Sequence, residues 1–122
     1  MRLQESGEMY LETIFVLSKT KPQVRAIDIA EHLHYSKPSV SRAVGILKNG
    51  GFISVDDSGF ITLTTSGKNV AKKIYERHTV ISSFLTLIGV NPETAKDDAC
   101  KIEHVISDDT FKALKNHLNQ NK

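Results

Sequence analysis

Apolar residues recur along this chain with two different periods. Met9, Tyr10, Ile14, Phe15 and Leu17, with Leu11 and Val16 beside them, form a broad helical stripe that predicts a first helix over roughly residues 4–19. The run 19–22 (Lys-Thr-Lys-Pro) ends it, because Pro22 disfavours helix in the residue before it. Ile27, Ala30 and Leu33 predict a short second helix, whose start looks poorly capped with Ala26 where a serine or aspartate is expected. Ser36 opens the next helix as a cap, with Pro38 tolerated in its first turn. Val40, Ala43, Val44 and Leu47 are its buried stripe, and Gly50-Gly51 stop it. Lys37, Ser39, Ser41, Arg42 and Gly45 are left as the exposed face: small, polar or basic, as a helix in the major groove requires.

The period then shortens. Residues 52–55 and 60–63 read as two strands, joined by the turn sequence Asp56-Asp57-Ser58-Gly59. Thr65 or Ser66 starts a long helix that runs to about Ile88, with Gly89 as its stop. Pro92 begins another, through about Ile106. Ser107 or Asp108 caps a last one, with Phe111, Leu114 and Leu118 on its apolar side, and the tail 119–122 is expected to fray. The fold class is mainly α with a small β-hairpin. A winged helix-turn-helix is expected over residues 1–72, followed by a helical domain over residues 73–122.

The 122 residues carry 39% apolar side chains, a modest core for two independent domains, so completion of the core by pairing with a second copy is expected. No apolar run approaches the ~20 residues needed to span a bilayer, and the start of the chain lacks the apolar segment of a secretory signal. A soluble cytoplasmic protein with no membrane partner is expected. The single cysteine, Cys100, excludes an intrachain disulfide and leaves a free thiol, a ligand or core filler. Net charge is only +2, but its distribution is uneven. Residues 36–77 hold seven Lys/Arg against three acids, and residues 91–111 hold six acids against two lysines. The first stretch suits phosphate and the second suits a cation; two ordinary solvated faces explain the same numbers.

Two constellations carry chemistry. On the third helix, Ser36, Lys37, Pro38, Ser39, Ser41 and Arg42 are the candidate DNA-contacting residues. Arg42 suits bidentate contact with guanine, or a phosphate contact. Near the other end, Cys100, Glu103 and His104 stand at i, i+3 and i+4, so a continuous helix directs all three from one face. A thiolate, a carboxylate and an imidazole can together hold a divalent transition metal. Met9 and Glu12 of the first helix and His78 of the fourth are candidates to complete the coordination, although a methionine is more often core filler. His32, His34 and His117 have no partners at ligand spacing and read as surface residues. No nucleophile, phosphate loop or additional general base suggests an enzyme.

The chain resembles the diphtheria toxin repressor and manganese transport regulator family of metal-dependent repressors. The resemblance rests on four segments: Gly7-Glu-Met-Tyr-Leu-Glu-Thr-Ile14; Asp28-Ile-Ala-Glu31 with Tyr35-Ser-Lys-Pro-Ser-Val-Ser-Arg42; Arg77-His78; and Ala99-Cys-Lys-Ile-Glu-His-Val-Ile-Ser107. It implies that the helical region after the wing is a metal-binding and dimerisation domain. It also implies Met9, Cys100, Glu103 and His104 as ligands of the activating metal. Glu12 and His78 match positions that complete a two-metal site in the manganese-type members. Met9 and Cys100 look like the iron-responsive members, where the manganese type has carboxylates. The longer iron-type members have a further carboxylate and a further histidine where this chain has Ser82 and Lys96, and they carry an SH3-like domain that is not expected here.

The function so implied is an Fe(II)-activated repressor that binds palindromic double-stranded operator DNA as a homodimer. A Mn(II)-activated repressor and a metal-independent winged-helix DNA-binding protein are the alternatives. Fe(II) is favoured as the cofactor because the Met9 thioether is a soft, neutral donor, whereas Mn(II) prefers hard anionic oxygen.

Overall fold

The computed structural model describes residues 5–120, which form six helices and one two-stranded hairpin, divided between Lys72 and Lys73 into two compact units. The order is α1 (Glu5–Ser18), α2 (Ala26–Leu33), α3 (Lys37–Asn49), β1 (Ile53–Val55), β2 (Ile61–Leu63), α4 (Thr65–Leu87), α5 (Pro92–Ile102) and α6 (Asp108–Gln120). The mainly α fold with a small hairpin, read from hydrophobic periodicity, is the one found. Gln4, expected in the first helix, and residues 121–122 of the tail lie outside the described residues; Asn119 and Gln120 belong to α6. Among the described residues no helix is long and apolar enough to cross a membrane.

In the first unit, Leu11 and Ile14 of α1, Ile29 of α2, and Val40 and Leu47 of α3 are almost fully buried. Each such side chain contributes about 1.5–3 kcal/mol relative to an exposed one. Val24, Ile53 and Ile61 close this core from the hairpin side, and Ile61 donates its amide to the Val24 carbonyl at 2.7 Å. The hairpin is antiparallel, with Ile53 opposite Leu63 and Val55 opposite Ile61. Its turn is built by Asp56, whose carboxylate accepts from the amides of Ser58 and Phe60, both at 2.9 Å. Gly59 supplies the left-handed residue (φ 86°) that the turn requires.

Three local expectations need correction. α2 is capped from Arg25, not Ala26: the Asp28 carboxylate reaches back to the Arg25 amide at 2.9 Å, so the acid at the third helical position replaces the missing hydroxyl cap. That hydrogen bond, with Lys21 and Arg25 nearby, holds the Asp28 carboxyl below the usual carboxylate value. Gly45 is half-buried, while Ile46 is the exposed residue on that part of α3. α5 ends at Ile102, four residues earlier than the sequence suggests, and the Val105 amide tightens the chain into a turn by bonding the Ile102 carbonyl three residues before it. The Ser36 cap is found: its hydroxyl accepts from the Ser39 amide at 3.3 Å.

α4 begins under a tight constraint. Thr64 accepts from the Gly67 amide at 3.2 Å, capping the helix one residue ahead of the expected start, and its hydroxyl donates to the Gly51 carbonyl. Gly67 runs so close to Phe52 that a Cβ there would collide with the Phe52 carbonyl. In the second unit, Ile74 and Ile81 of α4, Ala95 and Ala99 of α5, and Phe111 of α6 are buried. Phe84 of α4 stands edge-on to His117 of α6, with ring centroids 5.6 Å apart, and Lys115 pairs with Glu76 at 3.0 Å. His117 is therefore exposed but engaged. The α5–α6 turn is closed at its far end by Ser107, which caps α6 through the Thr110 amide.

Candidate metal centre

α4, α5 and the turn after α5 bring His78, Cys100 and Glu103 together in the second unit. One donor atom from each lies within 4.8 Å of the others. His78 Nδ1 is 3.1 Å from Glu103 Oε2 and 3.7 Å from Cys100 Sγ. Around a tetrahedral ion, nitrogen and oxygen donors stand about 3.4 Å apart, and sulfur and nitrogen donors about 3.6 Å, from the usual bond lengths. The two separations lie within about 0.3 Å of those values, so the three donors are grouped closely enough for one divalent ion to be held. The mixed S, N and O set suits Fe(II), Zn(II), Co(II) or Mn(II) more than Ca(II) or Mg(II).

The shorter α5 changes how the site is built. Cys100 projects from the last turn of α5 and is exposed, which removes core filler as its role. Glu103 is the C-terminal cap of α5, and His104 lies in the turn beyond it. One continuous helical face therefore does not place all three, and the turn does part of that work. Glu103 is 1% exposed, a carboxylate buried between two imidazoles: His78 Nδ1 at 3.1 Å and His104 Nε2 at 3.5 Å. Burying a carboxylate is costly unless it is paired. The two imidazoles provide that pairing in the chain alone, and a divalent ion would strengthen it.

Arg77 is the residue that the sequence reading missed. It counted among the seven basic groups of residues 36–77, yet it is 7% exposed and faces inward. Its Nη1 donates to the carbonyls of Glu103 (3.2 Å) and Ile106 (2.8 Å), and its Nη2 donates to Asp108 Oδ1 at 2.5 Å. The hydrogen bond from Arg77, with the charge of Lys73 behind it, holds the Asp108 carboxyl below its usual value. A signal was present in the sequence: Ile74, Arg77 and Ile81 share helical spacing, which puts a charge on the buried stripe.

The remaining candidates lie in the first unit. Met9 and Glu12 are half-buried on α1, and the Met9 thioether accepts from the Tyr35 hydroxyl at 4.0 Å. Tyr35 stacks edge-on against Tyr10, with centroids 6.1 Å apart, and directly precedes the cap of α3. Ser36, Lys37, Pro38, Ser39, Ser41 and Arg42 are all exposed at the cap and in the first two turns of α3. Ile46, one turn beyond Arg42, joins that face as an apolar group.

Comparison with known proteins identifies two consecutive family segments. Residues 2–59 match the iron-dependent repressor N-terminal DNA-binding domain, and residues 64–122 match the iron-dependent repressor metal-binding and dimerisation domain. The chain is 33% identical to the transcriptional regulator MntR of Escherichia coli over 106 residues, covering 87% of this chain and 68% of that protein. It is 32% identical to the diphtheria toxin repressor of Corynebacterium diphtheriae over 113 residues, covering 92% of this chain and 50% of that one. Among solved structures it resembles the manganese regulator SloR, with a TM-score of 0.83 and 28% identity over 98% of this chain and 55% of that chain. The chain thus spans about half the length of two of these relatives.

Proposed function

Because the chain belongs to the iron-dependent repressor family, whose members are transcriptional repressors and not enzymes, we propose that it is a metal-activated repressor that binds palindromic operator DNA as a homodimer. The observation that carries this reading is the convergence of His78, Cys100 and Glu103 in a chain whose α3 carries an exposed Ser/Lys/Arg face. In the proposal, Cys100, Glu103, His104 and His78 hold the ion with Met9 and Glu12, and Ser36, Lys37, Pro38, Ser39, Ser41 and Arg42 face the DNA. Met9 and Glu12 belong to the helix that packs with α2 and α3, so ligation of Met9 favours one arrangement of the DNA-reading unit over others. The ion shifts that equilibrium only by its differential affinity for the two arrangements, typically ~1–3 kcal/mol.

Fe(II) is the activator this reading favours, since Met9 and Cys100 are both soft donors. A second reading, Mn(II), is favoured by the carboxylate of Glu12 and by the likeness to a manganese regulator. The test is operator binding by fluorescence anisotropy without oxygen, titrated with Fe(II), Mn(II) and Zn(II). Expected are metal-stimulated binding, half-maximal at lower Fe(II) than Mn(II), and loss of the stimulation in Cys100→Ala. A wild-type chain that needs less Mn(II) than Fe(II) would replace the first reading with the second. Binding that ignores metal altogether would leave a metal-independent winged-helix protein.

A further inference from the structure

The geometry points to Arg77 as the positioning residue of the metal centre: its guanidinium holds the 103–108 turn in the shape that presents Glu103 to His78. This rests on the metal-site reading above and extends it to a residue that touches no ion.

Residues 103–107 belong to no helix or strand. Carbonyls at a helix C-terminus lack intrahelical partners, and they need donors wherever they are buried. Arg77 donates from one side chain to the carbonyl of Glu103, the cap of α5, and to that of Ile106 in the turn beyond it, which bracket His104. Its second terminal nitrogen reaches Asp108, the first residue of α6, so a single planar fork spans the whole turn. Phe111 stands against the guanidinium, with its ring centroid 5.7 Å away, and Lys73 backs Asp108 at 3.5 Å.

The clamp is also coupled to the site through the chain. Arg77 directly precedes His78, so the same turn of α4 delivers both the imidazole and the fork that aims Glu103 at it. Burying a guanidinium that donates to only two carbonyls and one carboxylate is a costly way to stabilise a loop. It is an effective way to hold one rotamer of an adjacent ligand. Cys100, on α5 ahead of the turn, is outside the clamp. The expectation is therefore asymmetric: without Arg77 the sulfur ligand stays available and the carboxylate ligand does not.

The test is titration of the intact chain with Co(II) without oxygen, reading the thiolate-to-cobalt absorption in the near ultraviolet and the ligand-field bands in the visible. Circular dichroism melts follow folding in parallel. Arg77→Met should weaken Co(II) binding about 10- to 100-fold, the range for residues that orient metal ligands. Its bound cobalt should keep the thiolate band but show altered ligand-field bands. Arg77→Lys should recover part of the affinity. Asp108→Asn changes a side chain that is 65% exposed and should leave the fold in place, which the melts check. It should lose affinity several-fold, and this arm stands if Arg77→Met fails to fold. Wild-type spectra and affinity per folded molecule in Asp108→Asn and in a folded Arg77 variant would overturn the proposal and make Arg77 merely structural. Failure of the unsubstituted chain to bind cobalt would instead overturn the metal-site reading, and this inference with it.

Discussion

Glu103→Gln separates a metal ligand from a buried structural group, because the two roles predict opposite behaviour with and without metal. The amide has nearly the volume of the carboxylate, so a side chain that is 1% exposed is replaced without a cavity. In the metal-free chain, glutamine can still exchange hydrogen bonds with His78, now 3.1 Å from the carboxylate, and with His104 at 3.5 Å. It also relieves the burial of an anion. Metal-free stability should therefore change by less than about 1 kcal/mol in either direction. The metal-bound chain loses its buried anionic oxygen donor. If free metal stands at about 100 times the dissociation constant, binding stabilises the wild type by about 2.7 kcal/mol. For a chain of this length that corresponds to a rise of about 10 °C in melting temperature. A hundredfold loss of affinity reduces the gain to about 0.4 kcal/mol, a rise of under 2 °C. The assay is a thermal melt with and without Mn(II) or Co(II) at fixed concentration. An equal metal-induced rise in variant and wild type would refute the assignment of Glu103 as a ligand.

Three further outcomes follow from other parts of the molecule. Gly67→Ala should destabilise the first unit by about 1–3 kcal/mol, read by urea denaturation, since its Cβ meets the Phe52 carbonyl, a backbone atom that cannot rotate away; an unchanged midpoint would mean that α4 shifts freely. Asp28→Ala should cost about 0.5–2 kcal/mol at neutral pH through loss of the helix cap. Because the Asp28 carboxyl is depressed on folding, its contribution is present above the ordinary carboxylate value and lost as pH falls through the folded one; the variant and wild type should converge in acid, and a constant difference down to pH about 2 would contradict that linkage. Arg42→Ala should cost about 1–3 kcal/mol of operator affinity with relaxed sequence preference if it reads a base, or an equal loss on all sequences with a shallower salt slope if it touches phosphate; wild-type affinity at several salt concentrations would remove it from the interface.

Much of this protein could be read from the order of its residues. The stripes on α1 and α3, the Ser36 cap, the hairpin turn at Asp56–Gly59 and the glycine stop at Gly89 are local signals, each decided within a few residues by backbone geometry and burial. The motif residues around Met9, Arg42 and Cys100 are equally local, so the family resemblance was visible without coordinates. What the sequence could not decide was anything set by a partner distant in the chain. The spacing of Cys100, Glu103 and His104 suggests one helical face, but α5 ends at Ile102, and the turn that follows has its Glu103 and Ile106 carbonyls held by Arg77, 26 residues before Glu103. The same contact turns an apparent surface cation into a buried clamp. His34 shows the effect on a smaller scale: it occupies the left-handed region (φ 59°) where a glycine or asparagine would have announced the turn, held there by the Ala30 carbonyl. Local propensity fixes where elements form, and only the packing of distant side chains decides where they stop and which charges they enclose.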